Sequence, residues 1–249
     1  MRVPLATSAP DPLIPEGREE IGIRLLDLYE RLYALYGPQH WWPAEEPFEV
    51  IVGAILTQSA AWSNVERAIS RLKAAGCLTP LALYEVPEER LAELVRPSGY
   101  FRAKTAKLKA FAAHLAGRHG GDLERLFAPE TAALRQELLA LYGIGPETAD
   151  SILLYAAGRP VFVVDAYTAR LLERLGLARA GERYDELQRL FREHLPADPV
   201  LFNEYHALIV RHGKEACRKR PLCDGCGLRR ACPAGLARER ALAVDAAFV

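Results

Sequence analysis

The apolar residues of this chain recur at three- and four-residue steps through almost its whole length, which is the spacing of an amphipathic helix. Residues 18–37 repeat the pattern and stop at a glycine, and residues 102–120 do the same. Residues 48–58 are almost entirely apolar, as expected of a buried central helix. The run VFVV at 161–164 is the best candidate strand, but no other segment alternates well enough to pair with it. The sequence therefore predicts an all-α fold.

Four of the five cysteines fall in one short segment with the spacing C-x5-C-x2-C-x5-C: Cys217, Cys223, Cys226 and Cys232. In a reducing compartment, clustered cysteines are more often metal ligands than disulfides. Zinc is one interpretation, because CxxC is a common zinc half-site and His206 and His212 are close in sequence. Zinc sites usually separate two CxxC pairs, however, and one compact loop of four thiolates favours a [4Fe–4S] cluster. The isolated Cys77 is interpreted as a small buried apolar residue.

Positive charge is concentrated around these cysteines. The chain has 32 Lys and Arg against 32 Asp and Glu, so its net charge predicts neither a nucleic-acid partner nor a membrane surface. Residues 211–230, in contrast, hold seven Lys and Arg against two acidic residues. No apolar run approaches the roughly 18 residues of a spanning helix, and the first residues lack the apolar core of a signal peptide. We therefore expect a cytoplasmic protein that binds any anionic ligand through a local patch.

A glycine-rich turn, YGIGPET at 142–148, separates two helical segments. Gly143 and Gly145 are expected to turn with positive φ and to expose successive backbone N–H groups, and Pro146 is expected to start the next helix. Bare amides at a helix N-terminus form a compact, sequence-independent phosphate site. The alternative is an ordinary corner between helices, with glycine present for steric reasons alone.

Asp165 follows the apolar run at 161–164 and precedes another helical segment, so it is predicted to be an N-cap. Most aspartates in such a place are only caps. Capping nevertheless leaves one carboxylate oxygen unused, and the helix N-terminus helps to keep the group ionised. An ionised, oriented carboxylate can stabilise the cationic sugar that forms when a glycosidic bond breaks.

The hairpin LYGIGPETAD, the Asp of VVDAY and the four-cysteine loop, in this order, resemble the helix-hairpin-helix DNA glycosylases of the endonuclease III superfamily. The resemblance covers roughly residues 20–235. The segment FEVIVGAILTQSAAWSNV is similar to the family's early helix and DNA-probing loop, with Gln58 at the tip. The segment PSGYFRAKTAKL is similar to the part that supplies a second wedge into the duplex, here Tyr100.

The resemblance implies two helical lobes. A discontinuous lobe of residues 18–46 and 160–236 would carry the [4Fe–4S] cluster, and residues 47–159 would form a helical barrel lobe with the hairpin. Residues 1–17 and 237–249 would be tails. The cluster would hold its loop rigid so that basic side chains face DNA phosphates: Arg218, Lys219, Arg220, Arg229 and Arg230. The family's usual loop is C-x6-C-x2-C-x5-C, one residue longer in its first spacer than the loop of this chain.

The resemblance also bears on the reaction. Bifunctional members of the family use a lysine two residues after the second hairpin glycine to form a Schiff base, and this chain has Glu147 there. No lysine lies between Lys109 and Lys214. We therefore expect a monofunctional, monomeric DNA N-glycosylase of base excision repair that acts on double-stranded DNA. Asp165 would stabilise the sugar cation, with Glu147 as a second carboxylate in the catalytic site.

Two alternatives remain: a bifunctional glycosylase and lyase for oxidised pyrimidines, and a DNA-binding homologue with impaired catalysis.

The subgroup is indicated by the aromatic residues and by one glycine. The mismatch-adenine branch has a glutamate five residues before the probing glutamine, and this chain has Gly53 there. The segments WWP and PFEVIVGAILTQ are most similar to the 3-methyladenine glycosylases of the endonuclease III type. An alkylated base already carries positive charge, so aromatic walls and one Asp could suffice. The candidates for pocket or wedge are Trp41, Trp42, Trp62 and Tyr100, although Trp41 and Trp42 could equally be plain core residues.

The lysines of 102–120 are interpreted as phosphate contacts or solvated surface: Lys104, Lys107 and Lys109.

Overall fold

The computed structural model describes residues 17–238, and this part of the chain consists of helices and turns with no β-strand. The predicted all-α fold is therefore confirmed, and residues 161–164 form an extended connection. Of the expected tails, residues 1–16 and 239–249 lie outside the described residues. None of the helices within residues 17–238 combines the length and the apolar character needed to cross a bilayer.

The helix boundaries follow the periodic segments of the sequence. In chain order the helices are α1 (Arg18–Tyr36), α2 (Pro47–Thr57), α3 (Trp62–Ala74), α4 (Pro80–Glu85), α5 (Glu88–Val95), α6 (Phe101–His119), α7 (Leu123–Phe127), α8 (Thr131–Leu139), α9 (Pro146–Ser151), α10 (Ala166–Arg174), α11 (Tyr184–His194) and α12 (Pro199–Glu215). A π-helical turn at Ile152–Ala156 continues α9, and 3₁₀ turns lie at Arg96–Ser98 and Arg229–Ala231.

The described chain divides into two compact units. The first contains residues 17–39, 164–196 and 205–238, and the second contains residues 40–163 and 197–204. In the first unit, α1 ends at Gly37, whose φ of 66° lies in the left-handed region that glycine adopts readily. Its core includes Tyr205, which is fully buried, packs edge-on against Phe191 and donates a hydrogen bond to the Leu25 carbonyl at 2.8 Å.

The second unit is built around α2. Every residue of this helix from Phe48 to Leu56 is buried, which confirms that the apolar segment 48–58 forms a central helix. Phe48 packs against Phe111 of α6, with ring centroids 6.5 Å apart. Cys77 lies beside this core but is only partly buried, so the prediction of a buried Cys77 was too strong.

Two lysines of α6 bind the ends of other helices. Lys104 is 2% exposed and donates to the carbonyl oxygens of Leu56 at 2.8 Å and Ser98 at 2.6 Å. Burial lowers the pKa of Lys104 to about 8. Lys109 donates to three carbonyl groups at the C-terminal end of α4. Because lysine can satisfy the unpaired carbonyls at a helix end, both side chains have structural partners, and the interpretation as phosphate contacts or solvated surface was wrong for them.

Candidate functional site

The hairpin between α8 and α9 is a tight turn with one buried anchor. Gly143 has a φ of +77°, as predicted, and the buried Ile144 donates its N–H to the Leu141 carbonyl at 3.2 Å. Gly145 differs from the prediction, because its φ of −95° and ψ of −180° are extended angles open to any residue. Nothing lies within 4 Å of the position that a Cβ at Gly145 would take, and the residue is exposed. Gly145 therefore keeps open space in front of the backbone where α9 begins.

The side chain of Gln58 forms hydrogen bonds to the hairpin. Its amide Nε2 donates to the Gly143 carbonyl at 3.0 Å and to Thr148 Oγ1 at 2.9 Å, and its Oε1 accepts a hydrogen bond from Lys107 Nζ. The aliphatic part of Lys107 covers Gly143 so closely that a Cβ there would lie 2.4 Å from Lys107 Cγ. Gln58 thus contacts the hairpin itself, and Lys107 is a hairpin residue, although the sequence suggested a phosphate contact or solvated surface.

An ion pair between a buried carboxylate and a partly exposed guanidinium joins the two helices of the hairpin. Arg135 of α8 donates from Nε to Asp150 Oδ1 at 2.7 Å and from a terminal nitrogen to Oδ2 at 3.0 Å. Asp150 is fully buried. This two-point geometry fixes the orientation of both side chains as well as their separation. Neither residue was singled out from the sequence, although the 15-residue gap between Arg135 and Asp150 spans the hairpin.

Asp165 caps α10 as predicted. Its Oδ1 accepts hydrogen bonds from the N–H groups of Tyr167 at 2.9 Å and Thr168 at 2.8 Å, and from the Thr168 hydroxyl at 3.0 Å. The other oxygen, Oδ2, lies 3.8 Å from Nε2 of the buried His206. Burial lowers the pKa of His206, although the nearby Asp165 opposes this. One oxygen of Asp165 is thus used for capping and the other faces the imidazole of His206.

The four clustered cysteines line one cavity of about 60 Å³ in the first unit, together with apolar side chains and Arg174. Cys217 is buried, the other three are partly buried, and none forms a disulfide. Burial raises the pKa of the thiols of Cys226 and Cys232. His212 also lines the cavity, with Nε2 at 3.8 Å from Cys226 Sγ.

Two arginines of α10 bind the start of this loop. Arg170 Nε donates to the Cys217 carbonyl at 2.8 Å. Arg174 donates to Cys217 Sγ at 3.2 Å and to the carbonyls of Arg218 at 2.7 Å and Lys219 at 3.0 Å. The helix that Asp165 caps at one end is therefore bonded to the cysteine loop at the other. Neither arginine was singled out from the sequence.

The basic residues of the loop differ in exposure. Arg218, Lys219 and Arg220 are exposed, and Arg218 Nε donates to the Lys214 carbonyl at 2.8 Å. Arg230 is also exposed, whereas Arg229 is partly buried and lies 3.6 Å from the Asp224 carboxylate. Most of the expected phosphate-binding side chains thus reach solvent.

The tryptophans form one aromatic cluster in the second unit. Trp42 packs edge-on against Trp62 and Trp41, with ring centroids 5.2 and 5.3 Å away, and contacts Tyr155 at 5.3 Å. All four rings are partly exposed, so they form a wall rather than a closed core. A Cβ at Gly53 would lie 3.1 Å from the Trp42 ring, which explains glycine at this position. Tyr155, on the π-helical turn, was not singled out from the sequence.

Tyr100 is a solitary exposed aromatic residue. Its side chain is 76% exposed, and its backbone φ of 44° and ψ of 32° lie in the left-handed region. This conformation is uncommon for a residue with a bulky side chain and points to a functional constraint.

Glu147 is exposed in the first turn of α9, in the second unit, whereas Asp165 belongs to the first. The structure therefore brings together the four cysteines, Asp165 with His206, and Gln58 with the hairpin.

Comparison with known proteins gives consistent matches. The family described as "HhH-GPD superfamily base excision DNA repair protein" matches residues 52–197. A protein of Methanocaldococcus jannaschii that carries the name of a DNA repair glycosylase is 47% identical, over 82% of this chain and 94% of its own length. The endonuclease III of Thermotoga maritima is 28% identical over 75% of this chain and 83% of its own.

Solved structures agree with these matches. The H. pylori 3-methyladenine DNA glycosylase MagIII bound to 1,N6-ethenoadenine aligns with a TM-score of 0.67 and 30% identity, over 80% of this chain and 97% of that protein. A non-covalent endonuclease III–DNA complex aligns with a TM-score of 0.76 over 88% of this chain and 98% of the other. Its 24% identity shows a shared fold.

The ion pair between Arg135 and the buried Asp150 gives a stability prediction. Arg135→Met would leave the Asp150 carboxylate buried without its guanidinium partner, so the free energy of unfolding should fall by about 3–5 kcal/mol. Urea unfolding followed by circular dichroism measures this. The exposed pair of Arg90 and Glu93 is the control, and Arg90→Met should cost less than about 1 kcal/mol.

The double variant Arg135→Met with Asp150→Leu tests the cause. It removes both charges and should regain much of the lost stability, because no uncompensated buried charge remains. An Arg135→Met protein as stable as the wild type would contradict the role of the pair.

Proposed function

The chain belongs to the HhH-GPD superfamily of base excision DNA repair proteins and is a DNA glycosylase of that family, and we propose that it is a monofunctional enzyme that hydrolyses the glycosidic bond of a damaged base flipped out of double-stranded DNA. The observation that carries the proposal is the fixed carboxylate of Asp165, whose Oδ1 accepts three hydrogen bonds. A carboxylate held in this way needs no reorganisation when charge develops beside it.

The proposed reaction uses water as the nucleophile. The bond between C1′ and the base nitrogen breaks, its electron pair leaves with the base, and the sugar acquires oxocarbenium character. The Asp165 carboxylate stabilises this positive charge and, as general base, takes the proton that water loses when its oxygen adds to C1′. Because the charge exists mainly in the transition state, the stabilisation acts on the rate more than on substrate binding.

Lysine placement supports hydrolysis without a lyase step. Glu147 occupies the position of the family's Schiff-base lysine, and a carboxylate cannot form an imine. Of the lysines of α6, Lys104 is buried and bonded to two carbonyls, and Lys109 to three. Lys107 is bonded to Gln58 beside the hairpin. Glu147, exposed in the first turn of α9, is proposed as a further acidic residue of the reaction.

The aromatic cluster supports an alkylated base as substrate. The rings of Trp41, Trp42, Trp62 and Tyr155 are within stacking distance of one another and partly exposed. Aromatic faces attract cationic ligands, and an alkylated base carries positive charge. Such a base also leaves readily, so it needs little protonation, and Gly53 offers no side chain for that purpose. The similar H. pylori protein is a 3-methyladenine DNA glycosylase, which supports the same class of substrate.

DNA binding is assigned to the hairpin and the cysteine loop. The exposed backbone at Gly145, together with the partly buried Gly143 of the same turn, would receive a phosphate at the N-terminus of α9. The exposed Arg218, Lys219 and Arg220 would contact further phosphates. Tyr100, with its exposed ring, would act as a wedge, and Gln58 would face the duplex from beside the hairpin. A monomer in the reducing cytoplasm is the expected form of the enzyme.

The cysteine loop fits a [4Fe–4S] cluster. Four thiols without disulfides line a single, mainly apolar cavity, and four cysteine thiolates are the usual ligands of this cluster. Cys217, Cys223, Cys226 and Cys232 would hold it. Bound there, the cluster would supply folding free energy that keeps the loop rigid. Arg170 and Arg174 then hold the loop against α10.

Substitution of Asp165 tests the mechanism. Asp165→Asn keeps a capping oxygen and removes the charge, so single-turnover base release should fall by about 10²–10³-fold while duplex binding persists. A panel of lesion duplexes supplies the substrate, and fluorescence anisotropy measures binding. Asp198 is the control, because it also caps a helix, with Oδ1 at 2.8 Å from the Val200 N–H. Equal losses of base release in Asp165→Asn and Asp198→Asn would show that Asp165 acts only as a helix cap and would contradict the proposed mechanism.

The reaction products separate a hydrolase from a lyase. The wild type should give strand breaks only after alkali treatment, and borohydride should trap no covalent complex, because no amine occupies position 147. Glu147→Lys supplies that amine and should produce trapping once the lysine is deprotonated. Glu89→Lys adds the same charge on the exposed surface of α5 and should trap nothing. Efficient trapping by the wild type would contradict the monofunctional proposal and point to Lys107.

Metal analysis tests the cluster. Purified protein should contain about four irons per chain and little zinc. Cys217→Ser, Cys223→Ser, Cys226→Ser and Cys232→Ser should each lower the iron content and the stability, because ligand binding contributes to folding. Cys77→Ser is the matched control, since Cys77 lies in the second unit and should leave the iron content unchanged. A colourless protein with zinc in the loop would reject the assignment.

A further inference from the structure

A group of side chains of the types that ligate metals lies in the second unit, and the proposed reaction does not use it. His114 and His119 come from the C-terminal half of α6, and Glu137 comes from α8. Glu137 Oε1 lies 2.7 Å from His114 Nε2 and 2.6 Å from His119 Nε2. The three ligand atoms all lie within 4.8 Å of one another.

We propose that His114, His119 and Glu137 form a binding site for a divalent first-row transition metal of the zinc type. Two imidazole nitrogens and one carboxylate oxygen are the protein ligands of many open zinc sites, in which water completes the tetrahedron. Both imidazoles direct Nε2 at the same carboxylate oxygen, so the donor atoms already converge. The ligands come from two helices that are separate in sequence, with both histidines on α6 and the carboxylate on α8.

Only small movements are needed to admit the ion. Ligand atoms about 2.0–2.2 Å from a tetrahedral metal are separated from one another by roughly 3.3 Å. The two nitrogen–oxygen distances must therefore widen slightly, and the two nitrogens, at most 4.8 Å apart, must come to about 3.3 Å from each other. Rotation about the terminal torsion of a glutamate, which is broad, supplies movement of this size. The three ligand atoms thus have nearly the right spacing before the metal enters.

The surroundings suit a partly enclosed site. The side chains of His114, His119 and Glu137 are 19%, 9% and 13% exposed, so the ion would be largely shielded while one side stays open to water. Arg118 Nε is 3.5 Å from the same Glu137 oxygen, but this side chain is 69% exposed. A long exposed arginine can turn into solvent when a cation takes its place beside the carboxylate.

The site would join α6 to the helix that leads into the hairpin. Helix α8 ends at Leu139, four residues before Gly143, and Glu137 lies in its last turn. A metal at this point would cross-link two helices and stabilise the folded second unit, because it binds the native arrangement of ligands and not the unfolded chain. Its role is therefore structural and independent of the charge on Asp165.

Zinc binding to the full-length protein tests the site. The wild type should bind one more zinc per chain than Glu137→Gln or His119→Ala, measured by equilibrium dialysis, and zinc should raise its melting temperature. Affinity at the site should fall more than about 100-fold in both variants, because even loss of an outer-shell partner costs about 10–100-fold. All proteins keep the four loop cysteines, so metal bound there contributes equally and cancels in the comparison.

His194→Ala is the control, because His194 lies in the first unit and its Nδ1 faces the Leu190 carbonyl at 2.8 Å. It should bind zinc like the wild type. Cobalt(II) in place of zinc gives a second readout, because its visible absorption bands should appear in the wild type. The same bands should be absent from the Glu137→Gln variant, whose folding is checked by circular dichroism. Equal zinc binding and equal melting shifts in the wild type, Glu137→Gln and His119→Ala would overturn the proposal, as would no binding by the wild type.

Discussion

The hydrogen bonds at the two ends of α10 are the constraint on which the first unit depends. At its start, Asp165 satisfies the N–H groups of Tyr167 and Thr168, and at its end Arg174 binds the thiol and carbonyl groups that begin the cysteine loop. The loop contains mostly polar and small residues, so it has little apolar area of its own to bury. Its conformation must be held by bonds to α10 and by whatever its thiols bind.

Two glycines of the second unit, Gly53 and Gly143, lie against side chains that leave little room for a Cβ, and Gly143 also has a positive φ. Gly53 leaves room for the ring of Trp42, and Gly143 leaves room for the stem of Lys107. A side chain at Gly53 would displace an aromatic wall, and one at Gly143 would displace the lysine that bonds to Gln58. The absence of a Cβ at Gly53 makes room for the aromatic cluster, and its absence at Gly143 makes room for Lys107 beside the hairpin. The hydrogen bonds of Asp165 and the packing of the hairpin rest on different residues.

Helices, caps and the cysteine motif were predictable because each depends on residues near in sequence. The period of apolar residues predicted α1, the nearly continuous apolar run predicted α2, Gly37 ended α1, and the placement of Asp165 before a helical segment identified its capping role. The spacing of the cysteines identified them as a group. For the lysines of α6, where the prediction failed, the deciding contacts came from elsewhere in the chain. Lys104 belongs to an amphipathic segment, yet it is buried by the carbonyls of Leu56 and Ser98.

The sequence by itself determined the helical class, the hairpin, the cap and the set of four thiols, and with them the resemblance to the DNA glycosylases. Only the tertiary structure decided which side chains from different parts of the chain contact one another. These contacts are Arg135 with Asp150, Arg174 with Cys217, and the two histidines of α6 with Glu137. The physical reason is that helix propensity and capping act over one or two turns, whereas an ion pair or ligand set requires donor atoms within a few ångströms. Partners 15 to 43 residues apart are brought to that distance only by the packing of whole helices.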